Sequence, residues 1–531
     1  MSQRDIHGDN PQPIEGFEPL PGFLSGVELK TSHGGPRLAE DMPTSLALSG
    51  GGHRASLFAL GAMMALFDAD KSPAQIASVS GGSITNAFLA LRYFAAGHDL
   101  GSRANPEDWE RATRECFDAI STKGVLTRPW IAALAALLVL PPLVFLGLAL
   151  SGRLPAVEVT LSLAAAWATV VFFRGLLIER LLHRTCFSGL RSPRLAGCES
   201  PIEHVLCCTD LVTGRPFYAS TRGGGIVFQR TGEPTGGGWM PGRSPHAIQE
   251  DPPGFTYQGG ALTWASLVRA SAGFPGIPPR RFRLELEDGS HHLAFLSDGG
   301  IWNNLATQAF EDRFIWSGDG PWVVLVIDAS APLERHKAGR LHVPLLSEIV
   351  ALVRQVVIQN FNTVLPRRAI YEREVLTEAL FPGQARFKAT RLYPVVALGD
   401  SLDSILQRFA RGAEQNDPYA HNYEEGHRER MEEHRRALAT RCEALESSAD
   451  YLDLKQLTES SVDGLADEVT CYPTTLGAVE PSIATRIVAR GYANTSLNLY
   501  LTGLTDQLQV PSGWLAEELK RFRRSRTRPR Q

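Results

Sequence analysis

The chain is short of several things that would have assigned it quickly. Its 531 residues carry seven cysteines (Cys116, Cys186, Cys198, Cys207, Cys208, Cys442, Cys471), an odd number with no C-x-x-C pair. That argues against a disulfide framework and a zinc site, and for a reducing compartment. Positive charge is not in excess: 53 Lys and Arg face 57 Asp and Glu, a net charge of -4. No general surplus is left to track phosphates, so a nucleic-acid partner is not expected. The first residues, MSQRDIHGDNPQPIEGFEPLPGF, have no apolar core of a secretory signal; they read as a loosely ordered lead-in over 1–43. There is no internal repeat and no G-x-x-x-x-G-K-[ST] phosphate loop.

What is present is an ordinary globular composition, 44% apolar and 21% charged, at a length that allows two or more domains or one large domain with insertions. One region departs from it. Pro129 to Ser151 holds no charged residue. Trp130 to Leu150 as a helix would span roughly 31 Å at about 1.5 Å per residue, close to the ~30 Å hydrocarbon core of a bilayer. Pro141-Pro142 would kink it. A second apolar run, Val159 to Phe173, is flanked by Glu158 and Arg174 and extended by Leu176 to Ile178. The short link SGRLPAVE joins the two, so they read as a transmembrane helical hairpin over 128–184. Lys123 and Arg128 precede it, Arg174, Arg180 and Arg184 follow, and the link offers only Arg153. The positive-inside rule then puts both flanks in the cytoplasm, on a bacterial-type inner membrane. A buried core hairpin and a re-entrant one are the other readings.

The remainder alternates strands and helices. SLALS (Ser45 to Ser49), QIASVS (Gln75 to Ser80), EHVLCCTDL, HLAFLS and WVVLVIDAS are apolar runs suited to buried, mostly parallel strands. The fold class is therefore α/β, with helices on both faces of the sheet. Its first part occupies 44–127 and its second 185–400, with a helical region carrying a basic tail over 401–531. Arg222 to Gly260, rich in Gly and Pro, is expected to be a long loop or a loose hairpin. Glu424 to Glu446 reads as an exposed helix, with Glu432 and Arg436 spaced i,i+4.

Three short pieces carry chemistry. SVSGGS (Ser78 to Ser83) lies where a strand turns into a helix. That is the position of a nucleophile elbow, G-x-S-x-G, with Ser80 as nucleophile, Gly82 in place and Ser78 where the first glycine would stand. Ser78 and Ser83 are rivals without a glycine two places on. Gly50-Gly51-Gly52 precede another helix, so free N–H groups with a helix dipole behind them form an anion nest. Asp68 and Asp70 lie before the next strand, not after it, which removes the dinucleotide reading. An acyl-transfer oxyanion is the better occupant, because an elbow serine follows about 30 residues on. Finally, LSDGGIW places Asp298 at a strand end before Gly299-Gly300. Partial desolvation would make it a base; as an Asp-Gly-Gly turn it would be structural.

In this order the pieces resemble the patatin-like phospholipase family, in bacterial-type form with an inserted membrane hairpin. Its first motif, D-G-G-G-x-R-G, is S-G-G-G-H-R-A at Ser49 to Ala55, so the glycines and Arg54 match while Ser49 and Ala55 depart. The elbow matches at Ser80 and Gly82, and the closing D-G-G at Asp298, Gly299 and Gly300. TDLVTGRPFYAS, RASAGFPGIPP and YPTTL also look like family segments. The resemblance covers roughly Thr44 to Asn304. It implies a three-layer sandwich around a mostly parallel sheet, and a Ser80–Asp298 dyad. Gly51 and Gly52, with Gly81, would hold the oxyanion, while Gly50, Arg54, Gly82 and Gly299 support. Arg54 would brace the loop or draw in an anionic head group. No metal or organic cofactor is implied. A histidine base among His336, His342, His421, His427 and His434 stays open; His53 reads as local loop chemistry.

The expected function is a membrane-anchored serine lipid acyl hydrolase whose partners are membrane lipids and the bilayer. The departures at Ser49, Ala55 and Ser78 also fit a catalytically inactive membrane scaffold of the same fold. An esterase or thioesterase on soluble substrates is the third reading. The tail from Lys520 to Arg530, seven Lys and Arg without an acid, would add attraction to anionic head groups or serve as a solubilising end.

Overall fold

Strand β1 (Thr44–Leu48) and strand β2 (Gln75–Ser78) are buried along their whole length. Each turns at once into a helix, α1 (Gly52–Asp68) and α2 (Gly81–Arg92). These belong to a computed structural model that describes residues 44–101, 105–124, parts of 140–151, 157–187, 194–195, 198–212, 215–221, 224–227, 255–256, 262–273, 277, 279–285, 291–310, 322–330, 391–392, 395–414, 425–459, 469–470 and 472–527. Continuous apolar runs such as TSLAL need cover on both faces, which is why they fall in the sheet's interior.

The further strands are β3 (Glu203–Asp210), β4 (Arg215–Ser220), β5 (Gly224–Val227), β6 (Phe255–Thr256), β7 (Arg280–Glu285), β8 (His291–Asp298), β9 (Trp322–Asp328), β10 (Arg391–Leu392) and β11 (Val395–Ala397). The path across the sheet is β10-β9-β1-β2-β3-β4-β5-β6. Pairing is parallel from β10 and β11 through β9, β1 and β2 to β3. Beyond β3 every described pair is antiparallel. The sheet is thus mixed, which corrects the expectation of a mostly parallel one. HLAFLS, expected as one more parallel strand, instead returns from β7 as a hairpin and pairs antiparallel with β3.

One detail of register positions the site. Residues 205 and 206 of β3 pair with both β2 and β4, and residues 208–210 pair with both β4 and β8. So β2 and β8 share the edge of β3 opposite β4. They meet end to end: β2 stops at Ser78 opposite Leu206, and β8 stops at Asp298 opposite Cys208. Two residue steps along β3, across Cys207, separate those ends, about 7 Å at roughly 3.3 Å per residue. Ser80 lies two residues past the end of β2.

The helices that follow are α3 (Pro106–Asp118), α4 (Val157–Cys186), α5 (Trp264–Ser271), α6 (Leu402–Glu414), α7 (Glu425–Glu446), α8 (Ala449–Glu459), α9 (Pro481–Leu501) and α10 (Gly513–Thr527). After His53, Arg54 and Ser56 helix α1 is apolar on every face up to Phe67, and it is buried from Gly52 to Phe67, as such helices must be. Much of its cover comes from α9, whose Val488, Tyr492 and Leu499 join the same core and whose Tyr492 hydroxyl donates to Asp68 at 2.6 Å. The C-terminal helices are therefore part of the packing around α1. Helix α7 is the charged helix expected, with Arg436 on Glu432 at 3.7 Å and a buried stripe of Leu438, Cys442 and Leu445.

The transmembrane hairpin over 128–184 gains no support. Residues 128–139 of its first arm lie outside the described ones, and among the described residues no helix is long and apolar enough to cross a membrane. The second arm forms α4, but its C-terminal half does not continue an apolar span. Ile178, Leu182 and Cys186 are buried in the α/β core, and Glu179 holds Arg269 at 3.0 Å and Arg280 at 3.1 Å. The run read as extending through Leu176 to Ile178 is turning into the core there.

Candidate active site

The turn between β2 and α2 is strained. Ser80 sits at φ 52, ψ -115, a region a residue with a Cβ occupies only where its surroundings enforce it. Those surroundings are explicit. Val79 N–H donates to Leu48 O at 3.0 Å, Gly82 N–H to Val79 O at 2.9 Å and Ser83 N–H to Ser80 O at 3.0 Å. The Ser80 N–H donates to Ser271 Oγ at 3.0 Å, and Gly81 O accepts from Ser56 Oγ at 2.7 Å. The geometry also sorts the three serines. Ser78 and Ser83 are 0% exposed and Ser80 is 9% exposed. Ser78 Oγ donates to Val205 O and accepts from Asn86 Nδ2, and Ser83 Oγ bonds to other serines. Ser80 alone of the three retains an opening.

Asp298 ends β8 and caps the short 3-10 turn Gly299–Ile301. Its Oδ1 accepts from Gly300 N–H at 2.7 Å, so the turn-forming role expected of Asp-Gly-Gly is present. The Ser80 side chain lies close enough to the same carboxyl to act on its proton affinity. Burial pushes its pKa up to about 7, against the lowering effect of the Gly300 hydrogen bond and of the nearby Ser80 side chain. The Asp298 carboxyl thus forms the structural turn and is at the same time buried with a raised pKa.

The glycine loop lies against this pair. Gly51 has φ +139 and Gly52 φ +61, and a Cβ on Gly52 would meet Thr475 O at 2.5 Å. A Cβ on Gly50 would come within 3.3 Å of Ser80 Cβ, and one on Gly81 within 1.9 Å of Gly52 O. Loop and elbow therefore touch backbone to backbone. The Gly50 N–H is spent on Asn304 O at 2.9 Å. Among the described residues nothing accepts from the N–H groups of Gly51, Gly52 or Gly81. Gly52 and Gly81 open α1 and α2, so both helix dipoles present their positive ends at this place. Gly82 packs on Leu48 and Ser49, and Gly299 on Cys207, where no side chain would fit.

Arg54 braces. Its buried guanidinium donates to Ala329 O at 3.0 Å and to Tyr472 O, which leaves the head-group alternative without support. His53 does loop chemistry as expected: its ring bonds Gly477 O at 2.7 Å, and burial drives its pKa down to about 4 despite that bond. Ser49, where the family has Asp, accepts Ala329 N–H at 2.8 Å, so that departure is built into the loop. His336, His342 and His421 lie outside the described residues, as do the side chains of His427 and His434.

Two contributors were not legible. Ser271 belongs to the RASAGFPGIPP segment, but nothing in that string shows that its hydroxyl meets the elbow. The segment after Tyr472 runs across the glycine loop, with Thr475 O also accepting His53 N–H at 2.8 Å. YPTTL hinted at a family segment, not at its place.

Fold and site define a class: a mixed α/β protein with a serine on a strained strand-to-helix turn beside a buried acid. In comparison with known proteins, no family model matches the chain and no curated protein matches it. Among solved structures it is similar to human GIVD cytosolic phospholipase A2, at 11% identity and a TM-score of 0.30 over 59% of this chain. The chain spans 46% of that structure's length. A likeness of that size carries no argument about chemistry; the geometry does.

Proposed function

We propose that the protein is a serine-dependent lipid acyl hydrolase of patatin-like type. The observation that carries this reading is the meeting of β2 and β8 on one edge of β3, which puts Ser80, on a turn strained to hold it, beside the buried Asp298 carboxyl. Ser80 Oγ attacks the acyl carbonyl and its proton passes to Asp298. The oxyanion is received by the N–H groups of Gly51, Gly52 and Gly81, each such donor being worth about 2.7–4 kcal/mol. The alcohol leaves with the proton held by Asp298. Water then attacks the acyl-Ser80 ester, Asp298 again takes the proton, and the carboxylic acid departs as Ser80 regains its hydrogen. A pKa near 7 suits a carboxylate that must both accept and return a proton.

A bilayer is the proposed source of substrate, with the site on the cytoplasmic face. Exposed apolar side chains support it: Leu150 is 80% and Leu161 63% exposed, with Leu140, Leu143, Val144 and Trp167 also out. A patch of this kind marks contact with lipid or protein. The inactive-scaffold reading rested on departures from the family motifs, and the bonded place of Ser49 weakens it. The test is a fluorophosphonate probe on the purified full chain. Labelling lost in Ser80→Ala and kept in Ser78→Ala supports the hydrolase; a folded wild type that takes no label sinks it. Micellar phospholipid turned over faster than a short soluble ester separates the lipid enzyme from a soluble-substrate esterase.

A further inference from the structure

The geometry points to Ser271 as a positioning residue for the nucleophile. It is the last residue of α5, fully buried, and its hydroxyl is saturated. Ser271 Oγ donates to Cys207 O at 2.7 Å, accepts the Ser80 N–H at 3.0 Å and lies 2.9 Å from Ser83 Oγ. A hydroxyl has one proton and two lone pairs. With the proton on Cys207 O, the third contact is a hydrogen bond when the single Ser83 proton points to Ser271 Oγ at 2.9 Å rather than to Ser78 Oγ at 3.2 Å. One oxygen thereby ties three elements: the elbow, the start of α2, and β3 directly before Cys208, the residue opposite Asp298.

Two consequences follow. The Ser80 N–H is engaged below the turn and is unavailable to substrate, which leaves Gly81 as the free donor of the turn among the described residues. The strained φ of Ser80 is held from a third direction, besides the bonds at Val79 N–H and Ser80 O. Helix α5 is itself fixed, by its Thr263/Ser266 capping box and by the 3.0 Å ion pair from Arg269, two residues before Ser271, to Glu179 of α4. Ser271 touches no reacting atom, and its kinetic effect rests on the hydrolase reading.

The experiment uses full-length Ser271→Ala, Ser271→Cys and Ser271→Thr with p-nitrophenyl butyrate, in parallel with amide hydrogen exchange at Ser80. The expected result for Ser271→Ala is a kcat lower by about 10²-fold, the scale of a 1 Å misplacement. KM should stay within about 3-fold, because substrate contacts are untouched. Ser271→Thr, which keeps the oxygen, restores most of the rate. The Ser80 amide exchanges at least about 10-fold faster in the alanine variant and is protected again in the threonine one. If the alanine variant does not fold, Ser271→Cys retains the volume with a weak acceptor and should show the same pair of changes. Unaltered kcat and unaltered Ser80 exchange in Ser271→Ala or Ser271→Cys overturn the assignment. A wild type without turnover sinks the hydrolase reading, and the amide exchange alone then decides the role of Ser271.

Discussion

Two neighbouring strand-to-helix turns face each other across β1 and β2, and they solve one backbone problem differently. The turn before α1 takes its positive φ angles at Gly51 and Gly52, where the absence of a Cβ makes them nearly free. The turn before α2 takes its positive φ at Ser80, where a side chain makes it cost of order 1–3 kcal/mol. Strain is accepted where a hydroxyl must be presented and avoided where only bare N–H groups are wanted. On the proposed function, nucleophile and anion nest divide between the turn that carries a side chain and the turn built of glycine.

Mutations can break this contrast. The largest effect is expected at the acid that serves the strained turn. Asp298→Asn keeps an oxygen for Gly300 N–H but is no base, and kcat for ester hydrolysis should fall on the order of 10⁴-fold with far-UV circular dichroism unchanged. Next is the contact between the turns. A Cβ at position 81 would lie 1.9 Å from Gly52 O. Gly81→Ala should therefore lose about 1–3 kcal/mol of stability in urea titration and at least about 10²-fold in kcat, since one donor moves with the turn.

Titration sharpens the comparison, because each turn has a buried neighbour whose pKa is shifted. Asp298 must be charged to act, so log kcat should rise with unit slope up to about pH 7 and then level. Its raised pKa means the folded state holds a proton that the unfolded chain releases near 3.8. Stability from this group is therefore lost as pH rises from about 4 to about 7, by up to about 4 kcal/mol. Asp298→Asn removes that slope and should raise Tm at pH 8, so a lower Tm there would contradict the buried-acid picture. His53, beside the glycine turn, has its pKa lowered to about 4. Its contribution runs the other way and is lost as pH falls from 6.5 toward 4. The smallest effect compares two substitutions at one site. Ser80→Gly relieves the positive φ and should be about 1 kcal/mol more stable than Ser80→Ala, the reverse of the usual order within a helix or strand.

Much of the site was legible because each piece is local. A strand, small residues and a helix in sequence announce a turn with exposed donors, whatever lies around it. Ser80, Asp298 and the three glycines were readable on that ground, and so were the five main strands to within a residue or two. Non-local matters were not. The direction of β8 depended on its pairing with β7 across a hairpin. The fate of α4 depended on where Glu179 found its two arginines, which the apolar count of the run does not encode. Ser271 and the Tyr472 segment touch the site only because α5 and α9 pack beside it.

The sequence by itself determined that a serine and an anion nest would stand at two strand-to-helix turns, since backbone sterics act over a few residues and leave their mark in glycine placement. Only the tertiary structure decided that β2 and β8 end head to head on one edge of β3, bringing Asp298 to Ser80 across 218 positions. Strand order and burial are collective outcomes of packing. The raised pKa of Asp298 is their product: removal of the carboxyl from water, which no string of neighbours specifies.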